Sequence, residues 1–152
     1  MPHSVLIVDD SPTAAPELRQ LLEREGYQVY SALRAEEALD ALRTSKVDLI
    51  ITEALLPTMD GFELVRQVRQ APSNAFVPII MLTVRSAPED YAASFEAGAN
   101  EYFLKPMEPP KMIAAVRGLI ARAESGRLEM HRAGAASAMP SRGGSSTGRP
   151  AR

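Results

Sequence analysis

The chain has no cysteine and no tryptophan. Without thiols there is no disulfide framework, no Cys-based zinc site and no thiol chemistry. Histidine is almost as scarce. His3 stands close to the start and His131 in the basic C-terminal stretch, so neither offers a general base or a metal ligand to the motifs described below. Aromatic residues make up only 5% of the chain, and lysine occurs three times, at Lys46, Lys105 and Lys111, among 17 basic residues. No apolar run approaches the roughly eighteen residues that a bilayer-crossing helix needs. The opening Met-Pro-His-Ser carries no basic region ahead of a long apolar one. No membrane association, no secretory leader and a cytoplasmic location are therefore expected.

What is present suits one globular domain. The 152 residues are 45% apolar and 24% charged, close to the soluble average. The net charge of −2 conceals an uneven distribution, because residues 1–124 carry −6 and residues 125–152 carry +4. The basic part holds Arg127, Arg132, Arg142, Arg149 and Arg152 against Glu129, amid Gly, Ser, Ala and Pro. Its few large apolar residues (Leu128, Met130, Met139) bury too little area to offset the entropy of ordering a backbone. A flexible tail is expected there, with the last helix fraying into Leu128. Five arginines without an interleaved aromatic make a weak nucleic-acid arm.

Residues 1–124 alternate two patterns. Val5 to Val8, Val47 to Ile51 and Val77 to Leu82 are apolar runs of strand length, as strands buried on both faces require. Residues 27–32 alternate more, as an edge strand does, and 102–104 form a short fifth run. Between them lie helical spacings: Leu18, Leu21 and Leu22 before Gly26; Ala38, Leu39, Ala41 and Leu42; Phe62, Val65 and Val68; a fourth helix over 88–97 closed by Gly98; and a fifth over 109–123 with Ile113, Val116 and Ile120 on one face. Pro16 falls where the first helix begins, so that helix starts late or bends. A (βα)5 alternation implies an α/β doubly wound parallel sheet joined by right-handed crossovers. In such sheets the site lies beyond the carboxyl ends of the strands.

The residues at those ends carry chemistry. Asp9, Asp10 and Ser11 follow the first strand, Glu53 the third, Thr83 the fourth, and Lys105-Pro106 the fifth. Three carboxylates on one edge repel unless a cation intervenes, and a hard divalent ion such as Mg2+ suits them. Lys105 adds a point charge and Thr83 a hydrogen bond, equipment for handling a phosphoryl group. Taken singly, Asp9, Asp10 and Ser11 also read as a helix cap ahead of Pro12.

The motifs VLIVDDS (5–11), LPTMDG (56–61), MLT (81–83) and EYFLKP (101–106) together resemble the receiver domain of two-component response regulators over roughly residues 4–122. The resemblance implies a flavodoxin-like five-stranded sheet of order 2-1-3-4-5, a receiver domain over 1–124, and a tail over 125–152. It implies Mg2+ held by Asp9, Asp10, the residue at position 53 and the main-chain carbonyl of Leu55, with weak or absent binding expected here. It further implies a switch pair, Thr83 and Tyr102, and phosphate contact by Lys105 before a cis Pro106. The implied output surface is the face of the fourth helix, fifth strand and fifth helix, including Asp90, Tyr91, Ser94, Tyr102, Lys111 and Arg117.

One position departs from the family. Four residues before Pro57, where the family has its phosphoaccepting aspartate, stands Glu53. An accepting oxygen must lie in line at about 3–3.5 Å from the phosphorus, and one more methylene carries it past that point. The same reach brings a negative group nearer Lys105 and Thr83. Two readings follow: Glu53 imitates the phosphorylated form, or it merely neutralises Lys105 in a degenerate site. Both predict a non-enzymatic module that docks a protein, a histidine kinase or a downstream effector, as a monomer or weak homodimer. The alternatives are an ordinary phosphorelay receiver and a nucleic-acid-associated protein acting through its tail. With 28 residues after position 124, no effector domain is expected.

Overall fold

Five strands and five helices alternate along residues 2–137, the part of the chain that the computed structural model describes. They are β1 (Ser4–Val8), α1 (Ala14–Arg24), β2 (Gln28–Ala32), α2 (Ala35–Thr44), β3 (Leu49–Thr52), α3 (Gly61–Gln70), β4 (Ile79–Thr83), α4 (Pro88–Ala97), β5 (Glu101–Leu104) and α5 (Pro109–Ser137), with a 3-10 turn at Pro72–Asn74 ahead of β4. Every strand pairing is parallel and the order is 2-1-3-4-5, the flavodoxin-like α/β arrangement.

The apolar runs lie in the middle of the sheet for the reason their composition gives. Every residue of β1, β3 and β4 is buried, whereas β2 and β5, the edges, are only partly so. Because side chains alternate across a strand, each central strand feeds two cores. Leu6, Val8, Ile50, Ile79 and Met81 pack with Ala38, Leu42, Phe62, Leu64, Val65 and Val68 of α2 and α3. Val5, Ile7, Leu49, Ile51, Ile80 and Leu82 pack with Leu18 and Leu22 of α1 and with Met112, Val116, Leu119 and Ile120 of α5. Each large aliphatic side chain so buried contributes about 1.5–3 kcal/mol. Helices on both faces hold the sheet, leaving its carboxyl edge to loops.

Helix ends follow local chemistry. Asp60 caps α3 by accepting from the Glu63 N–H at 2.9 Å. The helix α4 closes at Gly98, whose φ of +122° lets the Ala99 N–H reach back to the Ser94 carbonyl at 3.0 Å. The Arg69 side chain lies against that glycine, and a Cβ there would sit 2.8 Å from its Cγ. Arg69 donates to the carbonyls of Gly98 (2.9 Å) and Val77 (2.5 Å) and to Asn100 Oδ1 (2.9 Å). It thereby ties the end of α3 to the α4–β5 turn, and its burial pushes the guanidinium pKa down.

One expectation about the helices holds and two readings need correction. The helix α1 starts late, at Ala14, as the place of Pro16 implied, and not at Pro12 as the cap reading had it; Ser11 Oγ still accepts from the Ala14 N–H at 3.0 Å, but from outside the helix. Pro16 sits in the first turn, where its missing N–H has no intrahelical partner to lose. The helix α5 runs on to Ser137, beyond the expected end near 123 and the fraying at Leu128. Apolar content set that expectation, but Arg127-Leu-Glu-Met-His-Arg-Ala is rich in strong helix formers. The rest of the basic tail, 138–152 with Arg142, Arg149 and Arg152, lies outside the described residues.

Two substitutions test this packing. Gly61 opens α3 with its Cα pressed on the preceding loop, and a Cβ there would lie 2.2 Å from the Glu53 carbonyl oxygen. Gly61→Ala is expected to cost about 3 kcal/mol, read as a lowered urea midpoint. Ser94 is fully buried in α4 and its hydroxyl has no hydrogen-bond partner. Ser94→Ala removes that unpaired group and is expected to stabilise by about 1 kcal/mol. Unchanged midpoints would refute both assignments.

Candidate functional site

The strand ladders overrun the carboxyl edge and set the residues that follow. The Asp9 N–H donates to the Ala32 carbonyl (3.0 Å), the Glu53 N–H to Val8 (2.9 Å) and the Lys105 N–H to Thr83 (2.8 Å). The Gly61 N–H closes the β3–α3 loop onto the Ala54 carbonyl at 2.9 Å. The Lys105–Pro106 peptide bond is cis. Five chain segments thus bring their chemistry to one small pocket.

Lys105 stands at its centre. Its Nζ lies 2.9 Å from Asp9 Oδ2 and 2.8 Å from Glu53 Oε1, and the side chains are only 13%, 6% and 7% exposed. The second oxygen of each acid is also engaged. Asp9 Oδ1 accepts from the Ser11 N–H at 2.8 Å. Glu53 Oε2 turns back on its own loop and accepts from the N–H groups of Ala54 (2.7 Å) and Leu55 (3.1 Å). Burial pushes the Glu53 carboxyl up, but the Lys105 ammonium, the Thr83 hydroxyl and the Leu55 N–H outweigh it and hold the group below its usual range. Burial alone would lower the Lys105 pKa, yet Glu53 and Asp9 raise it.

Thr83, fully buried at the end of β4, starts a second chain of contacts. Its Oγ accepts from the Arg85 N–H at 3.3 Å, and the Arg85 carbonyl accepts from the Tyr102 hydroxyl at 2.6 Å. Tyr102 also meets Tyr91 edge to face, with ring centroids 5.3 Å apart. Sequence reasoning missed Arg85 and the amides of Ala54 and Leu55, because these contributions are main-chain and residue type carries no mark of them.

The other expected residues fall as follows. Asp10 is exposed, outside the Asp9–Lys105–Glu53 cluster. Tyr91 is 53% exposed on α4; Asp90 pairs with Arg85 at 3.0 Å, and Lys111 pairs with Glu108 at 3.3 Å. Arg117 reaches Glu25 at 2.6 Å. Ser94 does not belong to the exposed face, since it turns inward and is completely buried. His3 pairs with Glu124 at 2.6 Å, away from the pocket.

The expected metal ligands do not assemble. Among the described residues no group of three or more His, Asp or Glu side chains is arranged to hold a metal ion. All four oxygens of Asp9 and Glu53 already have ammonium or N–H partners, and Leu55 contributes its N–H. Lys105 supplies the positive charge that motivated the Mg2+ expectation, so the residues as placed do not fit a resident divalent ion.

The two displaced pKa values predict the shape of stability against pH. Glu53, lowered on folding, contributes fully above the ordinary carboxylate range and loses that contribution as pH falls through its folded value. Lys105, raised on folding, contributes fully below the ordinary lysine range and loses it as pH rises through its folded value. Lys105→Met leaves two buried carboxylates unpaired and is expected to cost about 3 kcal/mol at neutral pH. That variant gains stability on acidification where the wild type loses it. Urea midpoints from acid to alkaline pH check this, and parallel curves for the two proteins would refute it.

Residues 5–117 match the family model described as the response regulator receiver domain. The chain is 38% identical over 124 residues to the alkaline phosphatase synthesis transcriptional regulatory protein PhoP of Bacillus subtilis, covering 82% of this chain and 51% of that protein. It therefore spans about half the length of that relative. Among solved structures, a putative response regulator from Chloroflexus aurantiacus superposes with a TM-score of 0.77 at 41% identity, over 80% of this chain and 99% of that one. The receiver domain of a sensor histidine kinase from Pseudomonas aeruginosa, which has a magnesium ion coordinated in its active-site cleft, matches with a TM-score of 0.74 at 26% identity, over 80% and 99%. Sheet order, strand-end chemistry and these likenesses agree: the chain belongs to the response regulator receiver domain family of two-component signalling.

Proposed function

We propose that this receiver, comprising residues 1–124, signals without being phosphorylated. Glu53 stands in for a phosphorylated aspartate, and the domain acts non-enzymatically by docking a protein on the face of α4, β5 and α5. The observation that carries the reading is the set of groups around the Glu53 carboxylate: the Lys105 ammonium, the amides of Ala54 and Leu55, and the Thr83 hydroxyl. A carboxylate that only neutralised Lys105 would need neither the two amides nor Thr83. These donors are the ones a phosphoryl oxygen would use, and carboxylate fills the role in part, with one charge where phosphate has nearly two.

The contacts beyond the pocket support the same reading. Thr83, whose hydroxyl helps to lower the Glu53 pKa, accepts from the Arg85 N–H, and the Arg85 carbonyl holds the Tyr102 hydroxyl. Tyr102 is thereby held half-buried at the base of the proposed docking face. That face offers Tyr91, Phe95 and Leu104, all well exposed, beside Asp90 and Lys111, a surface for an apolar partner flanked by charge. A histidine kinase or a downstream effector is the class of partner. No helix of the described residues is long and apolar enough to cross a membrane, and nothing in the pocket requires a divalent ion, since Lys105 bridges the two acids.

Incubation with acetyl phosphate and Mg2+ followed by intact-mass measurement tests the proposal. The wild type is expected to gain no adduct of about 80 Da, the mass of one phosphoryl group, while Glu53→Asp, with its carboxylate drawn back to accepting distance, gains one. A stable adduct on the wild-type chain would restore the ordinary phosphorelay reading and remove this one.

A further inference from the structure

We infer that the pocket at position 53 is a carboxylate receptor in its own right, built to hold a monoanionic carboxylate in preference to phosphate. Glu53 is then its covalently tethered ligand. The inference rests on the proposed reading of Glu53 and goes further by naming the ligand class that the pocket selects.

The donors are positioned by bonds that do not involve the Glu53 side chain. The Ala54 and Leu55 amides are set by the Glu53 N–H on the Val8 carbonyl and by the Gly61 N–H on the Ala54 carbonyl. Lys105 is set by its own N–H on Thr83 and by Asp9. Thr83 is immobilised in a wholly buried strand. Truncation at Cβ therefore leaves the cradle standing. What it removes, a methylene and a carboxylate, is acetate less one hydrogen.

Charge sets the preference. With Glu53 truncated, Lys105 and Asp9 neutralise one another at 2.9 Å. A monocarboxylate restores the single excess negative charge of the native pocket. A phosphate dianion would bring a second one against buried Asp9, with Asp10 next in sequence. In a site of low effective dielectric, that extra repulsion weakens binding by about tenfold or more.

The test uses full-length Glu53→Ala, 15N-labelled, at neutral pH and constant ionic strength. It is titrated with sodium acetate, with formate, and with phosphate, using chloride as the balancing anion. Acetate is expected to move the amide signals of Ala54 and Leu55 saturably and to raise the urea midpoint. Formate, lacking the methyl group, binds less tightly, and phosphate about tenfold or more weakly than acetate. Wild type and Glu53→Gln, whose side chains fill the place, show no saturable shift at these amides. Absence of saturation with acetate, or phosphate binding as tightly as acetate, overturns the inference. If Glu53→Ala is unfolded in chloride, acetate must restore its circular dichroism spectrum where phosphate does not, and failure to do so counts equally against it. Tyr102 separates this inference from the reading beneath it. Its ring signals returning to their wild-type positions with acetate supports both. Amide shifts without any response of Tyr102 leave the receptor standing and overturn Glu53 as the signalling group.

Discussion

The interaction on which the carboxyl edge of the sheet depends is the ammonium of Lys105 lodged between two buried carboxylates. Asp9 comes from the end of β1, Glu53 from the end of β3 and Lys105 from the end of β5, so one cation joins the ends of three strands. Taking three charges out of water costs several kcal/mol per ion, which a single Coulombic contact would not repay. Here the remaining lone pairs are satisfied as well, by the amides of Ser11, Ala54 and Leu55. With its polar atoms so fully paired, the cluster can stay ionised in the interior. The cluster carries one excess negative charge, and the N–H groups aimed at it, with Thr83, are what make that tolerable.

Most of the fold was legible in the sequence because its burial is simple. Strands flanked by helices on both faces read as unbroken apolar runs, and β1, β3 and β4 gave that signal without ambiguity. The helix faces were found through Leu18, Leu22, Val65, Val68, Val116 and Ile120, all of which are buried. Where apolar content and helix propensity diverged, as beyond Ala123, the pattern ended before the helix did. Ser94 was placed on the exposed face as part of the output surface that the resemblance implies, and it is buried. It lies on the inward side of α4, which also buries Ala97.

The site was legible in its side chains and hidden in its backbone. Asp9, Glu53, Thr83 and Lys105 were identified as one edge cluster from their position after strands, and the structure brings those four together. Asp10 adjoins them in sequence but not in burial. Alternation across a strand end sends neighbouring side chains to opposite sides. The pairing of the acids was hidden for a related reason: it depends on rotamers, and Glu53 uses its extra methylene to fold its second oxygen onto the amides of residues 54 and 55.

That extra methylene has a consequence for regulation under the proposed reading. A phosphoryl group is added and removed, so a receiver that carries one passes between two populations set by kinase and hydrolysis. A ligand built into the chain has a fixed effective concentration and cannot be withdrawn. It biases Thr83 and Tyr102 by a constant amount, and a constant bias shifts an equilibrium once without making it switchable. Control must then lie outside the pocket, in how much of the chain is present or in competition for the face that holds Tyr91, Phe95 and Leu104. Adding the phosphoacceptor aspartate back would reintroduce a pocket that can be emptied. The difference between a switch and a standing signal in this fold then reduces to whether the group bound by Lys105 can leave.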